Sequence, residues 1–240
     1  MSFANSDANW SRTRGVWTLL GESRTAQVAS SAGFGWSAID MQHGRWDDAG
    51  MVRALEVMAG PVLVRVRSLD DGLVGRALDA GAAGVIAPMV DSPDDARRLV
   101  AASAYPPAGR RSWGPIVSGY GAADAPPARV FAMIESRGAL DRVEEIAAVA
   151  GLDGLFVGPF DLALALGMPV DDLLHDATDL RRIARAAEQA GLVAGAFAGT
   201  PERATRLERL GFGFVAATTD EGLLARGARE VLADRGRATS

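Results

Sequence analysis

The chain has 240 residues, 48% of them apolar and 23% charged, with a formal charge of −5, no Cys and two His. All 25 basic residues are Arg, which excludes every mechanism that needs a lysine amine, from Schiff-base aldolases to phosphate-loop lysines. The missing thiols exclude thiolate nucleophiles, zinc–thiolate sites, iron–sulfur clusters and disulfides, and two histidines cannot form a three-histidine zinc site.

One phrase recurs along the chain: a helical pattern closed by Gly, then at once a short, continuously apolar run suited to a strand buried on both faces. Taken in order, the predicted strands are Val16–Leu20, Trp36–Asp40, Pro61–Val66, Val85–Met89, Val130–Ile134, Leu155–Val157, Leu192–Phe197 and Phe214–Thr218. The amphipathic segments between and after them are Arg24–Ala32, Asp47–Met58, Asp70–Ala80, Pro93–Ala102, Ala139–Ala150, Thr178–Ala190, Pro201–Leu210 and Glu221–Asp234. Alternation of this kind predicts parallel strands joined by right-handed crossovers. Eight repeats spread over residues 1–240 predict one α/β domain, a single (β/α)8 TIM barrel. A doubly wound open sheet is the competing arrangement, but no Gly-x-Gly-x-x-Gly follows the first strand. The polar Met1–Thr13 segment reads as a loose tail, Tyr105–Pro127 as a long functional loop, and Val170–Asp179 as an Asp-rich loop with a solvated His175. There is no apolar run of ~20 residues and no secretory-signal pattern, so a cytoplasmic protein without a membrane span is expected. The interspersed charges and acidic balance argue against a nucleic-acid partner.

In a barrel of this type the chemistry sits at the C-terminal ends of the strands. Those ends carry Asp40-Met41-Gln42-His43, Arg65, Glu135-Ser136-Arg137 and Gly158-Pro159-Phe160-Asp161. Glu135 and Asp161 each precede a helix and would suit its N-terminal dipole. As a pair from neighbouring strands they would need a cation between them, and an all-oxygen donor set selects a hard ion such as Mg²⁺ or Mn²⁺. Arg65, set in an apolar strand, is either half of an interior salt bridge or a guanidinium aimed at a developing oxyanion. Arg67 would point the same way if that strand continued. His43 stands beside Asp40 and can act as a base near neutral pH. Trp17, at the end of the first strand, is expected near the pocket.

Several segments occur together and in order: Ser37-Ala38-Ile39-Asp40-Met41-Gln42-His43, the Arg65 strand, Ala87-Pro88-Met89-Val90, Tyr105-Pro106-Pro107-Ala108-Gly109-Arg110-Arg111, Met133-Ile134-Glu135 and Val157-Gly158-Pro159-Phe160-Asp161-Leu162. In these the chain, from about Gly15 to Leu232, resembles the class II metal-dependent 2-oxo-acid (pyruvate) aldolases of the 4-hydroxy-2-oxoheptane-1,7-dioate aldolase type, relatives of citrate lyase β-like barrels. The resemblance implies reversible aldol addition or cleavage between the enolate of pyruvate, or a similar 2-oxo acid, and an aldehyde. It implies Glu135 and Asp161 as ligands of a divalent ion (Mg²⁺, Mn²⁺ or Co²⁺), His43 as proton acceptor, Arg65 as the enolate's partner, and Asp79 as the acid that raises the basicity of His43. It implies a substrate-binding set of Gly158, Pro159, Phe160 (through its backbone N–H) and Asp161, with Trp17 close by. It further implies a homo-oligomer, of which a hexamer with exchanged terminal helices is one form. Three departures bear on the substrate: Met41-Gln42-His43 where Gly-Glu-His is common, Met133 where a Gln is common, and a shorter Pro115–Arg129 loop. Two other readings fit the same residues, an acyl-CoA or citramalyl-type carbon–carbon lyase and a non-catalytic metabolite-binding barrel.

Overall fold

Eight parallel strands close on themselves in chain order, with β1 hydrogen-bonded to both β2 and β8. They are β1 (Thr13–Thr18), β2 (Trp36–Asp40), β3 (Val62–Arg65), β4 (Gly84–Ala87), β5 (Arg129–Ile134), β6 (Gly154–Val157), β7 (Val193–Phe197) and β8 (Phe214–Thr219). Around them run α1 (Ser23–Ser30), α2 (Asp48–Val57), α3 (Asp71–Asp79), α4 (Pro93–Ser103), α5 (Arg137–Asp141), α6 (Val143–Ala147), α7 (Pro159–Leu166), α8 (Val170–Asp176), α9 (Thr178–Gln189), α10 (Pro201–Arg209) and α11 (Asp220–Asp234). This computed structural model describes residues 12–114 and 127–234. The predicted (β/α)8 barrel is the observed one.

Alternation along each strand separates two apolar layers. Outward residues such as Ile39, Val64, Val85, Ala132, Leu155 and Val215 meet the helices. Inward residues fill the barrel: Trp17, Trp36, Phe131, Met133, Phe156 and Phe214, with Ala38, Leu63, Ile86 and Ala216 between them. Trp36 stacks on Phe214 at 3.9 Å between ring centroids, and Phe214 on Phe131 at 5.2 Å. So many rings fit only where the opposing strand has no side chain; a Cβ on Gly15 would lie 2.2 Å from the Trp36 ring. The interior is therefore a solid floor under the C-terminal rim. Helix entrances on the rim side are capped by side chains, Asp47 accepting from Gly50 N, Asp70 from Gly72 N and Leu73 N, and Ser136 from Ala139 N. Each such cap contributes about 1 kcal/mol.

Several predicted boundaries are corrected. β1 starts three residues earlier than expected, so Thr13 belongs to the barrel, and Leu19 and Leu20 leave the strand because their N–H groups donate to the buried Asp220 carboxylate at 2.9 and 3.2 Å. The single helix expected over Ala139–Ala150 is two short ones, interrupted at Arg142, whose backbone is not helical (φ −112°, ψ 20°). The Asp-rich segment is mostly helical: α8 occupies Val170–Asp176, and His175 lies in its last turn. β4 stops at Ala87, and Met89 takes a left-handed backbone (φ 53°). Of the predicted Tyr105–Pro127 loop, the first part lies on the end of α4, with Arg110 N and Arg111 N donating to the carbonyls of Ala101 and Ala104 at 2.8 and 2.9 Å. This connection leaves the barrel at the end opposite the rim; residues 115–126, like residues 1–11, lie outside the described residues. Among the described residues no helix is long and apolar enough to cross a membrane.

Candidate active site

Strand register sets the height of each polar side chain at the rim. Asp40 and Arg65 are direct partners across β2 and β3, so both inward side chains emerge at one level. They form a two-point ion pair, Arg65 Nε to Asp40 Oδ1 at 2.9 Å and Nη2 to Oδ2 at 2.5 Å. Asp40 is fully buried, and the Arg65 side chain is only 9% exposed. Trp17 Nε1 donates to Asp40 Oδ2 at 3.1 Å, and the Trp17 ring lies 5.2 Å from the Arg65 guanidinium carbon. Burial pushes the Asp40 carboxyl up, but the Arg65 hydrogen bond and charge, with the bonds from Trp17 and His43 N–H, outweigh it and hold the group below the usual range. Of the two sequence readings of Arg65, the interior salt bridge is the one this geometry shows. The salt bridge uses Nε and Nη2 and leaves the Nη1 donors outside it.

His43 is exposed on the turn after β2. Asp40 Oδ1 builds that turn by accepting the N–H groups of Gln42 and His43 at 3.0 and 3.1 Å. Trp17, expected near the pocket, is 1% exposed: it is part of the floor and reaches the rim only through Asp40 and Arg65. Phe197 covers it at 5.3 Å, Phe160 stands beyond Phe197 at 6.0 Å, and the Arg203 guanidinium lies over the Phe160 ring at 5.1 Å.

Across the rim, Glu135 directly follows β5 and is 3% exposed. Its Oε1 accepts Met89 N–H at 2.8 Å, a donor aimed by the left-handed backbone of Met89. Its Oε2 lies over Gly158, where an added Cβ would come within 2.5 Å. Burial raises the Glu135 carboxyl above its usual value; the Met89 bond and the Arg65 charge pull it back, while the charges of Asp161 and Asp91 raise it further. Asp161, read as following the sixth strand and preceding a helix, lies inside the first turn of α7, which starts at Pro159 immediately after β6. Pro159 is buried, Phe160 is 40% exposed, and Asp161 is exposed. Gly158, Phe160 and Asp161 thus frame the helix entrance, where the first N–H groups have no intrahelical acceptor.

Asp79 is not brought to His43. It is the last residue of α3, and a helix returning from the rim delivers its end to the opposite side of the barrel. There it pairs with Arg111 at 2.6 Å, under the stack of Arg111 on Tyr105. A groove of about 430 Å³ between α6 and α9 lies on the barrel flank and contains none of the site residues.

A resident divalent ion can be tested against this geometry. No cluster of three or more His, Cys, Asp or Glu side chains suited to a metal exists among the described residues. Two carboxylates, one of them buried beneath the electrostatic influence of the other, do fit Mg²⁺ or Mn²⁺, which are held by one or two carboxylates with the remaining positions left to water and substrate.

Comparison with known proteins places the chain in a family. Residues 13–227 match the family described as HpcH/HpaI aldolase/citrate lyase. A hydroxypyruvate/pyruvate aldolase of Paraburkholderia phytofirmans is 37% identical over 237 residues, covering 91% of each chain. One of the same name from Deinococcus radiodurans is 36% identical, covering 91% of this chain and 84% of its own. The crystal structure of a HpcH/HpaI aldolase/citrate lyase family protein from Burkholderia cenocepacia superposes with a TM-score of 0.85 at 31% identity, covering 94% of this chain and 95% of the other. The chain is a member of the HpcH/HpaI aldolase/citrate lyase family and a carbon–carbon lyase of the aldolase kind.

Proposed function

We propose that the protein catalyses reversible aldol addition of pyruvate, or a closely similar 2-oxo acid, to an aldehyde, with Glu135 and Asp161 holding Mg²⁺, Mn²⁺ or Co²⁺. The observation that carries this reading is Glu135: a carboxylate buried to 3% exposure, bonded by one backbone N–H and repelled by the charge of Asp161. Among the described residues it has no ion pair, so a cation is the missing complement. The names of the relatives, hydroxypyruvate/pyruvate aldolases, support the substrate class.

In the cleavage direction His43 takes the proton of the C4 hydroxyl as the C3–C4 bond breaks, its electron pair passing into the pyruvyl fragment. The aldehyde leaves, and C3 of the enolate is reprotonated. Arg65, kept rigid by Asp40 and Trp17, offers Nη1 to the enolate oxygen, a type of contact typically worth ~3–4 kcal/mol in the transition state. Phe160 N–H, at the opening of α7, receives the substrate carboxylate. The divalent ion, when bound, supplies Lewis-acid polarisation of the keto group, the role an amine takes in Schiff-base enzymes. In the same reading the protein works in the cytoplasm as a homo-oligomer, supported by the apolar face that α11 exposes at Leu224 (58%), Val231 (70%) and Leu232 (64%).

Deuterium exchange at the pyruvate methyl, followed by NMR, tests the reading without any aldehyde. Exchange is expected to vanish in excess chelator and to return with Mg²⁺, Mn²⁺ or Co²⁺; undiminished exchange in chelator overturns it.

A further inference from the structure

The steps above leave Arg67 unused. β3 ends at Arg65, so Arg67 does not continue the inward row that strand periodicity predicts. Its side chain crosses instead to the β2–α2 connection, where Nε donates to the carbonyl of Met41 and Nη2 to the carbonyl of Trp46, both at 3.1 Å. Those two carbonyls bracket His43. Other bonds hold single points of the same turn: Gly44 N donates to Asp40 O at 3.1 Å, Arg45 N to Leu19 O at 2.7 Å, and Trp46 Nε1 to Thr18 O at 3.0 Å. Arg67 spans both ends of it with one rigid fork.

The imidazole needs such help. Among the described residues no hydrogen bond reaches the His43 ring; only its backbone N–H is bonded. The position of the ring therefore depends on the backbone beneath it, and Asp40 and Arg67 clamp that backbone from the barrel and from the flank. Among the described residues Arg67 makes no ion pair within 4 Å; its charge acts on Asp48 from farther off, and its hydrogen bonds are the two to neutral carbonyls.

We propose that Arg67 is a positioning residue that fixes the 41–46 turn so that His43 meets the substrate proton. This inference rests on the reading of His43 as the proton acceptor. Because Glu135 follows β5 and Asp161 stands on α7, away from this turn, loss of Arg67 should spare the binding of ion and 2-oxo acid.

The experiment is a double-mutant cycle on pyruvate methyl exchange, with Mn²⁺ affinity and KM for pyruvate measured alongside. Arg67→Met is expected to lower the exchange kcat about 10- to 100-fold, as a misplacement of about 1 Å can. KM and Mn²⁺ affinity should stay within about twofold, and Arg67→Lys, which can reach one carbonyl at a time, should fall between. In a His43→Ala background the Arg67→Met loss should disappear, since nothing remains to be positioned. An equal loss in that background, a rise in KM in place of a fall in kcat, or unchanged exchange in Arg67→Met each overturns the proposal. If Arg67→Met does not fold, Arg67→Lys is read in its place, with a loss of about 3- to 10-fold expected and an unchanged rate overturning the idea. Full exchange in His43→Ala would instead remove the base assignment itself, and this inference with it.

Discussion

Two buried carboxylates on one rim have opposite electrostatic fates. Asp40 has every need met inside the chain: two Arg65 nitrogens, the Trp17 indole and two backbone N–H groups. Its carboxyl is held low. Glu135 is nearly as buried, yet it has one backbone donor and an acidic neighbour, and its carboxyl is held high. The finished half of the rim is already satisfied within the chain; the unfinished half is where the proposed reading puts the divalent ion.

That contrast can be broken most directly on its open side. Glu135→Gln should remove the seat of the ion and cut pyruvate exchange by about 10³-fold or more, and the rise in Tm on adding Mn²⁺ should vanish with it. His43→Ala should lower exchange by ~10²–10⁴-fold while leaving Tm nearly unchanged. On the finished side the damage should reach stability as well as the enolate contact. Arg65→Met strands a buried charge and should cost about 3–5 kcal/mol by urea denaturation, most of it recovered in the double variant Arg65→Met, Asp40→Asn.

The pH dependence separates the two halves by sign. Asp40, lowered from 3.8, contributes stability that is complete above that value and is lost as acid protonates the folded state below it. Glu135, raised from 4.5, does the reverse in the ion-free protein: the stability contributed by its protonated form is present below 4.5 and fades as pH climbs through the raised value. Ion-free wild type should therefore lose stability relative to Glu135→Gln as the solution is brought from acid to neutral, and Mn²⁺ should close the gap. As the smallest effect, breaking the half-exposed Arg182–Glu144 pair on the outside of the barrel should shift stability by under about 1 kcal/mol.

Local periodicity was sufficient for the barrel and for the rim as a whole, because strands buried on both faces and Gly-closed helices leave a strong one-dimensional trace. It was also sufficient to single out Arg65, since an Arg in Val-Leu-Val-Arg-Val demands a partner. Contacts made by the backbone were harder to read. Nothing in the letters around Met89 announces a left-handed residue whose N–H turns toward Glu135, and Arg67 bonds to carbonyls, which every residue has. Asp161 was read as preceding a helix and lies within its first turn, because Gly-Pro can end a strand and open a helix within two residues. Asp79 shows the limit of carrying a role across by likeness: within this chain, about two and a half turns of helix separate the rim end of α3 from the end where Asp79 stands.

The aromatic plug leaves the barrel with a single doorway. Trp17, Trp36, Phe131, Phe156 and Phe214 close any passage through the middle, so both reactants must come and go by the same side. If the 2-oxo acid sits against Arg65 and the aldehyde arrives above it, traffic is last in, first out. Product inhibition in the cleavage direction should then be ordered, with the aldehyde departing before pyruvate.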